Sequence, residues 1–338
     1  MENIFLCGLD ADEIADLIRA GGFTHAQAVI VAGLLYKKGI AALEKSTRIP
    51  QRLKSYLSEV SEAGMYLPVR EERSADGTVK YLFESPEGKK FESVFIPDEK
   101  RKTVCVSTQS GCRMGCPFCV TGRYGFHGNL TAGEIVNQVI SLQKNGKITH
   151  VVFMGMGEPM DNPGNVLKAC RILTAEWGLA ISPANITVSS VGITPAIMNF
   201  LERSDCNLAL SLYSPFPDER IKVIPAEKAY PVKEIINMLS HFPLKKKRRM
   251  TMAYVMIRGI NDTDRHLEEL IKITRGTQIR INLLPFHAIP GDERIASSEE
   301  RLQFFKHNLV VAGISASVRK SRGADISAAC GLLASGLE

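Results

Sequence analysis

From residue 103 onward, short apolar runs alternate with helical stretches, and this alternation constrains the fold more than any other feature of the chain. TVCVSTQ, HVVFMGMGEP, NITVSSVG, NLALSLYS, RRMTMAYVMI and QIRINLLPF each read as a strand. Between them, IVNQVISLQKNG, NVLKACRILTAEW, PAIMNFLER, VKEIINMLSHF and RHLEELIKIT read as helices from the spacing of their apolar residues. Thr131 and Glu134 form a capping-box pattern ahead of the first of these helices, and Gly146 stops it. EERLQFFKHNLVVAG and ISASVRK add a final helix and strand. Six strand–helix steps with apolar strands imply a parallel sheet with right-handed crossovers. The expected fold is α/β, a partial (βα)6 barrel over residues 101–325. Chemistry in such a barrel sits at the C-terminal ends of the strands.

The flanks differ in character. Residues 1–65 read as a small helical accessory domain, with ADEIADLIRAGG, THAQAVIVAGLLYKKG and PQRLKSYLSEV as its helices. Its basic residues Lys37, Lys38, Arg48, Arg52 and Lys54 fit either solvated helix faces or an RNA-facing surface. Residues 66–100 read as a β-rich connector of short antiparallel strands with turns at ADG and PEG. Residues 326–338 form a C-terminal tail, a place where chains are often mobile.

Composition narrows the setting. No apolar run approaches the roughly 20 residues that span a bilayer. The opening MENIFLCGLDADEIADLI has early acids and no basic stretch, so the expectation is a cytoplasmic protein without a membrane partner. A net charge of +6 permits a polyanion such as RNA without requiring one. Lys245 to Arg249, KKKRR, is the densest basic run and reads equally as a phosphate contact or a solvated loop.

Cys112, Cys116 and Cys119 stand in GCRMGCPFC with C-x3-C-x2-C spacing. Three thiolates on one loop suit three irons of a cubane cluster. The fourth iron is then free for a substrate, as at an open catalytic zinc. In a radical S-adenosylmethionine (SAM) enzyme, that iron takes the amino and carboxyl groups of SAM. Zinc is the competing reading, and it needs His127 or Cys105 to complete a set of four. Five cysteines remain of the eight. Cys170 and Cys206 fall in helix and strand patterns as small buried residues, and Cys7 carries no signal.

Met156-Gly157-Glu158-Pro159 ends the second strand, where glycine admits a close backbone approach and a carboxylate can receive an ammonium group. Ser189 and Ser211 end the third and fourth strands, within reach of a ligand's amino-acid or ribose part. Cys105 lies in the first strand. Cys330 follows Arg319, Lys320 and Arg322, cations able to make a nearby thiol nucleophilic. Spacing alone also allows Cys105 and Cys330 to be inert.

CVSTQSGCRMGCPFC, GFHGNLTAGEI, FMGMGEPMDN, LALSLYSP, VRKSRGADISAACGLLA and FESVFIPD together resemble the RlmN/Cfr-type RNA adenine methyltransferases of the radical SAM superfamily. The resemblance spans nearly the whole chain. It implies a radical SAM barrel that binds a [4Fe–4S] cluster on Cys112, Cys116 and Cys119. It implies SAM contacts from Gly157, Glu158, Ser189, Ser211, Leu212, Tyr213 and His287. It gives Cys330 the role of an S-methylcysteine intermediate, Cys105 that of the resolving cysteine through a Cys105–Cys330 disulfide, and Glu92 that of proton acceptor. The reaction implied is methylation of adenine carbon 2 in 23S rRNA, with tRNA as a further substrate. A 5′-deoxyadenosyl radical takes hydrogen from the Cys330 methyl group, and the resulting methylene radical adds to the base. That carbon is not nucleophilic, so a covalent route divides one hard step into easier ones. The implied partners are RNA and an electron donor such as flavodoxin or ferredoxin. Tyr213, Ala253 and His287 depart from the family's usual His, Glu and Asn. These departures keep carbon 8, or another RNA, as the alternative. A nonenzymatic Fe–S or zinc RNA-binding protein is the reading from another class.

Overall fold

The computed structural model describes residues 4–245, 247–289 and 291–334. The chain opens with helices α1 (Ala11–Arg19), α2 (His25–Lys38), α3 (Ile40–Lys45) and α4 (Gln51–Val60). At α1, the Asp10 carboxylate accepts from the amides of Asp12 and Glu13, and Glu13 accepts from the Asp10 amide. Thr24 and Gln27 form the same box at α2, so both starts follow from local sequence. With 6 residues, α3 is too short for a hydrophobic period to reveal it.

Three antiparallel strands follow: β1 (Arg70–Arg73), β2 (Val79–Glu84) and β3 (Lys90–Pro97). They continue the main sheet, because β3 pairs antiparallel with β4 (Lys102–Cys105), setting Val94 opposite Cys105. Next come β5 (Gln109–Gly111), α5 (Val120–Tyr124), β6 (Phe126–Asn129), α6 (Ala132–Ser141), β7 (His150–Phe153) and α7 (Pro163–Thr174). The alternation continues through β8 (Ile186–Ser190), α8 (Thr194–Arg203), β9 (Asn207–Ser211), α9 (Pro217–Arg220) and α10 (Val232–His241). It ends with β10 (Met250–Met256), α11 (Asp264–Thr274), β11 (Arg280–Pro285), α12 (Glu299–Val311) and β12 (Ala316–Val318).

The 10-stranded sheet has the order β1-β2-β3-β4-β7-β8-β9-β10-β11-β12. Every neighbouring pair from β4 to β12 is parallel. β1 and β12 remain its two edges, so the barrel is open, as the repeated βα steps require. Along β10, Met250, Met252, Tyr254 and Met256 are buried while Thr251, Ala253 and Val255 are half-buried. The first set packs in the core, and the second faces cavities inside the barrel. This period of two is the mark of a strand with two different faces.

One expectation, the mobile tail, needs correction, and the basic run divides between surface and interior. The basic run does not act as one solvated stretch. Lys245 pairs with Asp205 at 2.5 Å, and Arg248 turns inward, donating from Nη1 to the Leu201 carbonyl at 2.6 Å. That carbonyl lies in the last turn of α8, where a cation is favoured. Lys246 lies outside the described residues. The tail expected to be mobile is docked through Ala334, while residues 335–338 lie outside the described residues. Among the described residues, no helix is long and apolar enough to cross a membrane.

Candidate active site

The cysteine loop is held in a small hairpin, since β5 and β6 pair antiparallel around it. Gly111, at φ 76°, carries the turn into the loop, and a Cβ there would lie 1.8 Å from the Gly125 carbonyl oxygen. Only glycine fits. The Cys112 amide donates to that same oxygen at 2.7 Å, and the Cys119 amide donates to the Cys116 carbonyl at 3.1 Å. These bonds curl the loop so that Cys112, Cys116 and Cys119 line one cavity of about 190 Å³ at the C-terminal ends of the strands.

The donor set fits a cluster. Among the described residues, no three His, Cys, Asp or Glu side chains are arranged to hold a single metal ion. Three thiols around one cavity suit a multi-iron cubane, in which each binds its own iron. The two residues that zinc would need are engaged elsewhere. Cys105 lines a separate chamber, and His127 packs on Tyr124 with ring centroids 4.4 Å apart. Burial pushes the Cys112 thiol up to about 12 and raises those of Cys116 and Cys119, so ligation must expel protons.

Gly157 and Glu158 face the cysteines across the cavity. Gly157 has φ 94°, and a Cβ would lie 2.8 Å from the Gln109 amide nitrogen. The Glu158 carboxylate is oriented by two amides, those of Met160 and Val191, each at 2.9 Å. Burial raises its pKa to about 7, and those two amides oppose the rise. Such a carboxylate gains from an incoming ammonium group. Ser189 and Ser211 also line the cavity, with the Ser189 hydroxyl donating to the Phe153 carbonyl at 2.7 Å. Leu212 and Tyr213 do not line it. Leu212 is buried in the core, and Tyr213, at φ 61°, stacks on Phe118 of the cysteine loop at 5.6 Å. His287 does line it, with Nε2 bonded to the Ser321 hydroxyl at 2.8 Å. Burial holds the His287 ring below the ordinary histidine range.

Cys330 is the junction. It lines both this cavity and an adjoining chamber of about 140 Å³ that also holds Cys105, Arg319, Lys320 and Arg322. All eight cysteines are free thiols, so the implied Cys105–Cys330 bridge is open in this structure. Burial pushes Cys105 up to about 12; Cys330 adds to the rise and Arg319 opposes it. The tail is anchored at several points. The Val120 amide donates to the Gly331 carbonyl at 2.8 Å, and Thr121 Oγ1 donates to that of Leu333 at 2.9 Å. Glu92 lies behind the tail rather than on the chamber wall. Its Oε2 accepts from the Ala334 amide at 2.8 Å, while Oε1 is 3.4 Å from the buried Lys80 ammonium and has no hydrogen-bond partner.

Two supporting residues, Gln109 inside the cysteine motif and Arg220 outside any motif, are not singled out by the sequence. Gln109 is fully buried; its Oε1 accepts from the Glu158 amide at 2.9 Å and its Nε2 donates to Asp161 at 2.8 Å. Arg220, also fully buried, donates to the carbonyls of Ser211 and Leu212 at 3.1 Å and to that of Val191, and pairs with Glu227. It ties the ends of β8 and β9 together behind the cavity. Nothing in the sequence near Arg220 marks it; only its place after the SLYSP turn hints at a role.

Residues 106–272 match the radical SAM superfamily. The chain is 44% identical to the probable dual-specificity RNA methyltransferase RlmN of Phocaeicola vulgatus, over 97% of this chain and 94% of that protein. It is 37% identical to the dual-specificity RNA methyltransferase RlmN of Syntrophotalea carbinolica, over 98% and 90%. Among solved structures, a radical SAM methyltransferase from Sphaerobacter thermophilus superposes with a TM-score of 0.90 at 36% identity, covering 98% of this chain and 99% of that one. With relatives at this identity along almost their full length, and with an open barrel that gathers three cysteines about one cavity, the chain belongs to the RlmN family of radical SAM RNA methyltransferases.

Proposed function

We propose that this protein methylates carbon 2 of adenine in RNA, in 23S rRNA and in tRNA, through a methylated Cys330 and a covalent enzyme–RNA adduct. The observation that carries the reading is the position of Cys330, shared between the cluster cavity and the Cys105 chamber. The dual specificity in the relatives' names supports more than one RNA substrate.

When bound, the [4Fe–4S] cluster and SAM supply the electron, the methyl group and the hydrogen-abstracting fragment. Cys112, Cys116 and Cys119 hold the cluster, and Glu158 receives the SAM ammonium, with Gly157, Ser189, Ser211 and His287 around the rest of the molecule. Leu212 and Tyr213 act from behind, through the turn that carries Ser211. Cys330 takes the methyl group on sulfur and carries the carbon to the base. The Cys105 thiolate then attacks the Cys330 sulfur, the carbon–sulfur electron pair leaves with the carbon, a proton completes the methyl group, and the Cys105–Cys330 disulfide releases the product. Glu92 is the proton acceptor of this scheme, a buried carboxylate held 3.4 Å from the Lys80 ammonium. Electrons come from a flavodoxin- or ferredoxin-type donor, and the protein works in the cytoplasm.

Replacing Cys330 with Ala tests the route. The variant should retain iron, sulfide and reductive SAM cleavage while forming no methylated nucleoside. Methylated RNA from C330A would refute the covalent mechanism, and 8-methyladenosine from the wild-type protein would move the reaction to the other carbon.

A further inference from the structure

Below the active cavity, the barrel encloses a second space of about 430 Å³. This is within the range of about 300–1,000 Å³ typical of small-molecule sites. The inward residues of each strand divide between the two spaces. Thr187, Ala209 and Thr251 face the lower one, while Ser189, Ser211 and Val255, farther along the same strands, face the upper one. Met154, Ala253 and Leu284 line both, and Thr103 and Arg319 line the lower space and the Cys105–Cys330 chamber. The lower space therefore adjoins both the active cavity and the chamber of Cys105 and Cys330, sharing a wall with each.

The electrostatics of this lower space are one-sided. Arg101 and Arg249 stand at the mouth, just before β4 and β10, and Arg319 stands deeper. His150, Asn207 and Asn282 add polar groups, and among the described residues no Asp or Glu lines the space. Among the described residues, no carboxylate pairs with any of the three guanidinium groups. Guanidiniums grouped without counter-charge repel one another and raise the local concentration of anions. Such residues hold phosphate well, because the planar fork matches its oxygens.

We propose that the lower barrel space binds the backbone phosphates beside the target adenosine, so that the RNA nucleotide enters at the N-terminal mouth and its base reaches Cys330 from below. Arg101 and Arg249 hold the phosphates at the mouth. This rests on the RNA methyltransferase reading above and adds to it the entry route and the phosphate-binding residues.

The test compares wild-type holoenzyme with Arg101→Met/Arg249→Met under anaerobic conditions. The ligand is an RNA hairpin carrying the adenosine that the wild type methylates, and affinity is measured from about 50 to about 200 mM salt. Each single-strand phosphate contact contributes about 0.7 to the slope of log K against log salt, so the double variant should lose about 1.4. Its KM for RNA should rise by about 10-fold or more. Methylation of Cys330 by SAM, read by intact mass, should be unchanged, which separates a local effect from misfolding. Arg101→Lys/Arg249→Lys should recover most of the salt slope. Neutral methylphosphonate linkages beside the target adenosine should weaken wild-type binding and leave the double variant unaffected. An unchanged slope, or an equal methylphosphonate penalty in both proteins, would overturn the proposal. Displacement of the hairpin by equimolar adenosine monophosphate would assign the space to a free nucleotide and overturn it too. A wild-type protein that methylates no RNA would remove the underlying reading itself.

Discussion

At the scale of single residues, the site is organised around Glu158. A fully solvated carboxylate would gain little from an ammonium partner, because water already satisfies it. Burial changes this by raising the pKa from 4.5 to about 7. The folded apo protein therefore binds a proton more tightly than the unfolded chain does. The resulting stabilisation is complete below pH 4.5 and is lost as pH rises through about 7. On the proposed contact, binding of the SAM ammonium would have the opposite preference, since it favours the ionised carboxylate. SAM affinity should climb between about pH 6 and pH 8 and then level off. Calorimetric titration across that range checks the prediction. Glu158→Gln should bind about 10-fold more weakly at pH 8 and show a flat profile there, because it loses the charge and keeps an acceptor for only one of the Met160 and Val191 amides. A wild-type profile that does not change between those pH values would place the ammonium elsewhere.

At the scale of elements, the C-terminal segment separates what sequence reveals from what only folding supplies. The barrel was legible because its strands and helices have different periods, and the cysteine loop because its spacing is chemical. The β5–β6 hairpin was not, since FHGN carries no alternation of apolar residues. The docking of the tail was equally hidden, because its partners are remote in sequence: Ser74 and Ala75 hold Asp325, Asp76 holds Gly323, and Glu92 holds Ala334. No window around Cys330 contains any of them. Glu92 is thus a tether as well as a charge, and two substitutions distinguish these roles. Glu92→Gln keeps an acceptor for the Ala334 amide but leaves the buried Lys80 with only Glu72, at 3.3 Å. Glu92→Ala removes both functions. Each should cost about 3 kcal/mol in denaturant unfolding, the scale of a broken buried ion pair. Tryptic cleavage after Arg319, Lys320 and Arg322 should accelerate only in Glu92→Ala. Equal cleavage rates in the two variants would show that the carboxylate does not hold the tail.

At the scale of the whole molecule, the N-terminal helices are fixed to the barrel by close backbone contact as well as by charge. Arg171 of α7 pairs with Asp10 at 2.9 Å, and Lys168 pairs with Glu13 at 2.6 Å. These pairs are partly exposed, so each contributes little by itself. The tighter constraint is steric. Gly8 lies against Gly133 in the first turn of α6; a Cβ on Gly133 would be 2.3 Å from the Cys7 carbonyl oxygen, and one on Gly8 would be 2.5 Å from the Gly133 nitrogen. Backbone on both sides cannot yield as a flexible side chain would. Gly133→Ala should therefore push the helical lobe away from α6 and destabilise the protein by about 1–3 kcal/mol, the usual result of overpacking. Gly164, in the first turn of α7, is the internal control, because a Cβ there meets nothing within 4 Å. Gly164→Ala should be neutral or stabilising by up to about 1 kcal/mol, since alanine loses less backbone entropy on entering a helix. The same chemical change thus has opposite expected signs at two helix starts, and only the proximity of the N-terminal segment separates them. Urea unfolding of both variants measures the difference directly. If Gly133→Ala were as stable as Gly164→Ala, the helical lobe would have to be loosely seated, with its charge pairs rather than its backbone setting its position.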